Sequence, residues 1–145
     1  YEEDALTGDS FDQVYCVFDR DRRTTFDAAV QRTKDLSAAG KPLLAITSTP
    51  CFEVWLLLHF CYSDQPFHPI GRKSVGDQVV LALKSMDGFS KYGKGQKGIY
   101  AKLKDKLTDA FTNAERLREQ GKAMGSINPA TDVDELVKAI KALAP

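Results

Sequence analysis

Residues 13–18, Gln13-Val14-Tyr15-Cys16-Val17-Phe18, and residues 43–47, Leu43-Leu44-Ala45-Ile46-Thr47, form two short runs of apolar and β-branched side chains with no polar alternation. Such runs are predicted to be strands buried on both faces. Between them the period changes. Phe26, Ala29, Val30, Thr33 and Leu36 recur at spacings of three and four, Thr24 or Thr25 offers an N-cap and Gly40 a stop, so residues 25–39 are predicted to be an amphipathic helix. Strand, helix and strand within so short a stretch is a βαβ unit, which requires parallel neighbouring strands and a right-handed crossover. The chain is therefore expected to be α/β, a parallel sheet with flanking helices.

Beyond the second strand the pattern becomes increasingly helical. Ser48-Thr49-Pro50 reads as an N-cap with proline at the first helical position. The helix it opens, residues 51–61, is apolar almost all round and belongs in the core. Residues 62–75 read as a loop with Pro66, Pro69 and Gly71. Val79, Val80, Leu83 and Met86 mark a helix that ends before Asp87-Gly88. A Lys/Gly-rich stretch, residues 91–98, comes next. Helical patterns then run over residues 99–111 and 110–122, joined or separate, and over 133–143 after Asn128-Pro129. Residues 1–12 are acidic and turn-rich, and read as a loop or frayed arm ahead of a single domain.

A chain of 145 residues can bury a substantial core without metal or disulfide staples. Cys16, Cys51 and Cys61 are odd in number and set in apolar surroundings, as expected of reduced thiols in a cytoplasmic protein. The apolar run around residues 54–61 falls far short of the roughly 20 residues that cross a bilayer, so no membrane role is expected. Twenty basic side chains balance twenty acidic ones, yet they are segregated. Residues 1–71 carry 6 basic and 11 acidic groups, residues 72–122 carry 12 and 6.

The acidic part contains the chief chemical candidate, Asp19-Arg20-Asp21 after the first strand. Side chains at i and i+2 of an extended segment point the same way, so the two carboxylates can share a cation. Ligands of open α/β sheets bind outside the carboxyl ends of the strands. Hard oxygen donors there suit Mg²⁺ or Mn²⁺, and such an ion can stabilise phosphoryl transfer or phosphodiester cleavage. A solvated Asp-Arg turn is the plainer reading of the same residues. Glu53 is the second candidate, an acid amid Phe52, Val54, Trp55 and Leu56 that must be paired, bound to metal or set against the helix N-terminus. His59 lies six residues further on, about 240° round an ideal helix, and so off the Glu53 face. It reads as a core histidine. Cys51, His59, Cys61 and His68 fit no zinc template. Lys91, Lys94 and Lys97, in the glycine-rich stretch, can follow a phosphate backbone, although the stretch has no Gly-Lys-Ser/Thr and is not a Walker A loop.

Three stretches together resemble the RloB-like family of bacterial proteins: Val17-Phe18-Asp19-Arg20-Asp21, the block from Thr47 through Pro50-Cys51-Phe52-Glu53-Val54-Trp55 to His59-Phe60, and Asn128-Pro129-Ala130-Thr131-Asp132-Val133. That family is associated with phage defence and abortive infection, and its fold looks like a divergent Toprim domain. The resemblance implies a Mg²⁺- or Mn²⁺-dependent nuclease-type centre acting on nucleic acid. The Toprim Asp-x-Asp pair maps onto Asp19 and Asp21. The Toprim glutamate at the end of a first strand maps onto nothing, since this chain begins at Tyr1, after the place where such a strand and helix are expected, and Glu53 does not take over its role.

The leading expectation is a nucleic-acid-cleaving domain of a defence system in which Asp19 and Asp21 hold the metal. Glu53 would complete or brace the site and Lys91, Lys94 and Lys97 would contact phosphates. The non-enzymatic alternative is a binding subunit that recognises a phage component or a defence ATPase partner. A phosphatase of the haloacid dehalogenase type would share Asp-x-Asp and the Thr47-Ser48 strand end, but this chain has Arg23 where the threonine is expected and shows no later acidic pair on a strand.

Overall fold

The computed structural model describes residues 11–20 and 24–143. The expected arm at residues 1–12 therefore lies almost wholly outside the described residues. Strand β1, Val14–Asp19, leads through helix α1, Phe26–Ala38, into β2, Leu43–Thr49. The two strands are parallel, in register from Val14 opposite Leu43 to Asp19 opposite Ser48, so the βαβ unit forms as its periods predict.

The sheet differs from the expectation in two ways. A third strand, β3, Ala130–Thr131, pairs antiparallel with the end of β2, placing Ser48 opposite Thr131. Two residues between Pro129 and Asp132 are too short to show any period. Nor are β1 and β2 buried on both faces: Val17 is 51% exposed and Leu44 45%. β2 is the middle strand, and among the described residues no strand lies along the outer edge of β1.

The segment after β2 is core, as its composition demands, but it is not the long helix expected. The helix begins at Glu53 with Phe52 at its N-cap, so Pro50 does not occupy a first helical position. Helix α2 is only Glu53–Leu57, and a tight turn carries the chain through the buried Leu58 and His59. Trp55 meets the His59 ring edge-on with centroids 4.7 Å apart and lies 5.9 Å from Phe111.

Helix α3, Val75–Lys84, starts at a capping box in which Ser74 and Asp77 satisfy each other's backbone N–H groups. It buries Val79 and Leu83 against this core. After residues 91–98 come α4, Ile99–Leu103, one 3₁₀ turn at Lys104–Lys106, and α5, Leu107–Met124, nearly a single helical rod. Leu107, Ala110, Ala114 and Leu117 bury one stripe of α5 at helical spacing. The rod ends where the chain doubles back: Ser126 N–H donates to Gly121 O at 2.9 Å, and a Cβ at Gly121 would stand 2.7 Å from Ser126 O. Helix α6, Val133–Ala142, closes the fold against β2 and α5. No helix of the described residues is long and apolar enough to cross a membrane.

Leu81 and Leu83 test this packing on one helix. Leu83 is fully buried and Leu81 is 42% exposed. Leu83→Ala is expected to cost about 2–5 kcal/mol in chemical denaturation, whereas Leu81→Ala should cost under about 1 kcal/mol.

Candidate functional site

The acidic turn stands at the carboxyl end of the parallel pair. Asp19 closes β1 and is exposed. The backbone N–H of Arg20 donates to Ser48 O at 2.8 Å, which prolongs the pairing by one residue. The Arg20 guanidinium lies 5.3 Å over the Phe26 ring and 3.4 Å from Asp27, tying the strand end to α1. Asp21 lies outside the described residues. Beside Asp19 a cleft of about 550 Å³ runs between Phe18, Thr25, Phe26 and Phe52.

Glu53 is 4% exposed. Its Oε1 accepts from the Tyr92 hydroxyl at 3.1 Å, and its Oε2 lies 3.5 Å from Lys94 Nζ, with no hydrogen-bond partner among the described residues. Burying a carboxylate is costly unless a cation and donors compensate it. Here they come from residues 91–98, forty positions along the chain. Burial and then the adjacent Glu53 carboxylate push the Cys51 thiol up to about 12. The same two causes, in the same order, raise the Tyr92 phenol. For Lys94 partial burial acts downward, but Glu53 outweighs it, with help from Cys51 and Asp19, and the ammonium ends above its ordinary value. Lys94 thus lies in the field of both carboxylates. Its direct contact is with the buried acid of α2, and the exposed acid of β1 acts on it more weakly.

Lys91 and Lys97 are exposed on the same stretch, flanking Lys94. Of the three, Lys94 is the one that meets a candidate acid. Tyr92 was not legible as a site residue: a tyrosine among lysines and glycines gives no sign that its hydroxyl will seek a carboxylate 39 positions earlier.

Glu53 and His59 do not diverge as an ideal helix requires. Because α2 ends at Leu57, the turn beyond it brings both to the wall of one cavity of about 550 Å³, between α2, α4 and α6. His59 is buried, and its Nδ1 lies 2.9 Å from Trp55 O. A carbonyl only accepts, so Nδ1 carries the proton and Nε2 is an acceptor. Burial lowers the His59 pKa, which keeps the ring neutral.

A second polar cluster pins the sheet to the helices. Asp132 Oδ2 accepts from Thr47 Oγ1 at 2.6 Å and from Thr47 N–H at 3.2 Å, and the hydroxyls of Ser48 and Thr131 are 3.0 Å apart. Thr47 and Ser48, the residues a phosphatase would need, are committed to these contacts. Asp134, fully buried, holds Arg118 and Lys138. Burial pulls the Arg118 pKa down, but Asp134, then Glu135 and Asp132, more than reverse it.

Among the described residues no group of three or more His, Cys, Asp or Glu side chains is placed to hold a metal ion. Asp19 is a single carboxylate at an open cleft, a hard oxygen donor of the kind Mg²⁺ takes. Glu53, buried and already shared by Tyr92 and Lys94, fits a bracing role rather than a ligand's.

The class is an α/β domain with a mostly parallel three-stranded sheet and an exposed acid at the end of a parallel strand. The family model for RloB-like protein matches residues 2–140, and the chain belongs to the RloB-like family. No curated protein and no solved structure matches it.

The Cys51 environment makes a pH prediction. The thiol titrates near 12 in the folded chain against an ordinary value of 9.0. The folded state therefore keeps a proton that the unfolded state releases between these values. This contribution to stability is fully present below pH 9 and is lost as pH rises toward 12. Chemical denaturation at roughly pH 8 and pH 10.5 should show a smaller loss for Cys51→Ala than for the unaltered protein.

Proposed function

We propose that this chain is the metal-dependent, phosphodiester-cleaving domain of a bacterial anti-phage system, with a Toprim-like catalytic edge. The observation that carries the reading is the position of Lys94, in the field of both Asp19 and Glu53 at the carboxyl end of the parallel pair. Family membership supports the defence role.

Asp19, with Asp21 two residues on, would hold Mg²⁺ or Mn²⁺. When bound, the ion would supply charge stabilisation to the phosphoryl oxygens and an activated water. Lys94, held by Glu53, would pair with a non-bridging phosphate oxygen beside Asp19 and neutralise charge that builds up as the bond breaks. Lys91 and Lys97 would hold phosphates on either side and give affinity without sequence preference. Glu53 acts through Lys94 and is a positioning residue.

Asp19→Ala is expected to lower Mg²⁺-dependent cleavage of nucleic acid by more than about a hundredfold. It should leave the melting temperature without metal within about 3 °C, since Asp19 is exposed. Mn²⁺ should raise the melting temperature of the unaltered protein, because an ion that binds only the folded state stabilises it, and should not raise that of the variant. Cleavage unchanged by Asp19→Ala overturns the assignment. No metal shift and no cleavage favour a binding subunit that works with a defence ATPase.

A further inference from the structure

The cavity between α2, α4 and α6 is not used by the cleavage scheme, yet it adjoins the cleavage edge. Phe52 lines both this cavity and the Asp19 cleft. Residues 91–98 serve both sites as well: Tyr92, Gly95 and Gln96 line the cavity, while Lys94, next to Gly95, stands 3.5 Å from Glu53 Oε2. At about 550 Å³ the cavity is in the size range of small-molecule sites.

Its walls combine two kinds of chemistry. Trp55 and Tyr100 supply aromatic surface, and aliphatic side chains of α4, α5 and α6 supply the rest. Six polar side chains are set into this surface, Glu53, His59, Tyr92, Gln96, Tyr100 and Lys141, and two of them present acceptors. His59 Nε2 is unprotonated because Nδ1 donates to Trp55 O. The carboxylate of Glu53 also lines the cavity, is nine-tenths buried, and has an Oε2 that no hydrogen bond satisfies among the described residues. An aliphatic ligand would leave that oxygen as it is. A flat ring with N–H groups on its edge would meet both the aromatic surface and the acceptors. Cations at the rim then call for an anion attached to that ring within a few ångströms.

We propose that this cavity receives an unpaired nucleobase of the strand whose phosphate rests on Lys94. The inference builds on the phosphodiester-cleaving reading and adds a substrate class: single-stranded or locally unpaired nucleic acid, with the base unstacked from its neighbours. Unpaired bases are typically read by stacking on aromatic side chains and by hydrogen bonds to their edges. Lys94 keeps its place beside Glu53 and meets the phosphate with its remaining N–H groups, while the base N–H groups take up the Oε2 lone pairs that no hydrogen bond satisfies. Guanine presents N1–H and the N2 amino group on one edge, two donors for one carboxylate. Uracil presents a single N–H, so guanine is favoured over uracil.

The chain has one tryptophan, and it lines the cavity, so its fluorescence reports occupancy directly. The protein is titrated in chelator-containing buffer, where nothing is cleaved, with guanosine 5′-monophosphate, uridine 5′-monophosphate, inorganic phosphate and a short single-stranded oligoguanylate. The expected result is saturable quenching, tightest for the oligonucleotide, about tenfold or more tighter for the guanosine than for the uridine nucleotide, and absent with phosphate. Val137→Phe, which fills the cavity, should abolish the quenching. Ile99→Phe serves the same purpose if the first variant does not fold by circular dichroism.

No quenching by any nucleotide, in a protein that still cleaves with Mg²⁺, overturns the cavity assignment and leaves the cleavage reading intact. Quenching by nucleotides in a protein that cleaves nothing does the reverse. Equal affinity for mononucleotide and oligonucleotide overturns the strand assignment in favour of a free nucleotide. Quenching by an apolar helical peptide but by no nucleotide overturns the proposal in favour of a protein partner.

Discussion

Glu53 is a carboxylate placed where the surrounding sequence leaves it no water, and much of the molecule is arranged around meeting its needs. Its neighbours Phe52, Val54, Trp55 and Leu56 come from a segment whose burial builds the core, so the acid is carried inward with them. An unpaired charge there would cost several kcal/mol. Tyr92 and Lys94 supply the donor and the cation, which folds residues 91–98 back over α2. That fold-back brings Lys94 into the field of Asp19 and forms one side of the cavity. One buried group thus ties the basic stretch at residues 91–98 to the acidic part of the chain.

The opposite wall depends on a second buried acid. Asp134 is inaccessible to solvent and is held by Arg118 of α5 and Lys138 of its own helix. Asp132, just ahead of that helix, bonds Thr47 in β2. These contacts fix α6 against the middle strand and the long helix while its apolar face, with Leu136 and Val137, turns to the cavity. One network therefore sets the acidic edge and the other sets the wall across from it, and both meet β2 or the segment leaving it.

The sequence shows clearly where a period persists. The βαβ unit, α1, α3 and α6 could all be read from spacing, and with them the location of Asp19 at a strand end. β3 could not, because two residues have no period and their pairing depends on Ser48, some eighty positions away. The shortness of α2 was also hidden: its apolar residues suit a buried helix and a buried turn equally well. A full-length helix would put Glu53 and His59 on different faces, whereas the turn brings them to one cavity. Glu53 itself could be flagged as a charge in the wrong surroundings. Its partners could not, because a glycine-rich stretch carries no signal of where it will fold.

Amide NMR with a trace of Mn²⁺ tests most directly whether Asp19 and Lys94 share one edge that binds a divalent ion. Paramagnetic broadening should centre on Phe18, Asp19 and Arg20 and extend across the chain to Gly93, Lys94 and Gly95, while the amides of Asp134 and Glu135 stay sharp. Broadening confined to Asp132 and Glu135, or spread evenly over exposed acids, would contradict it.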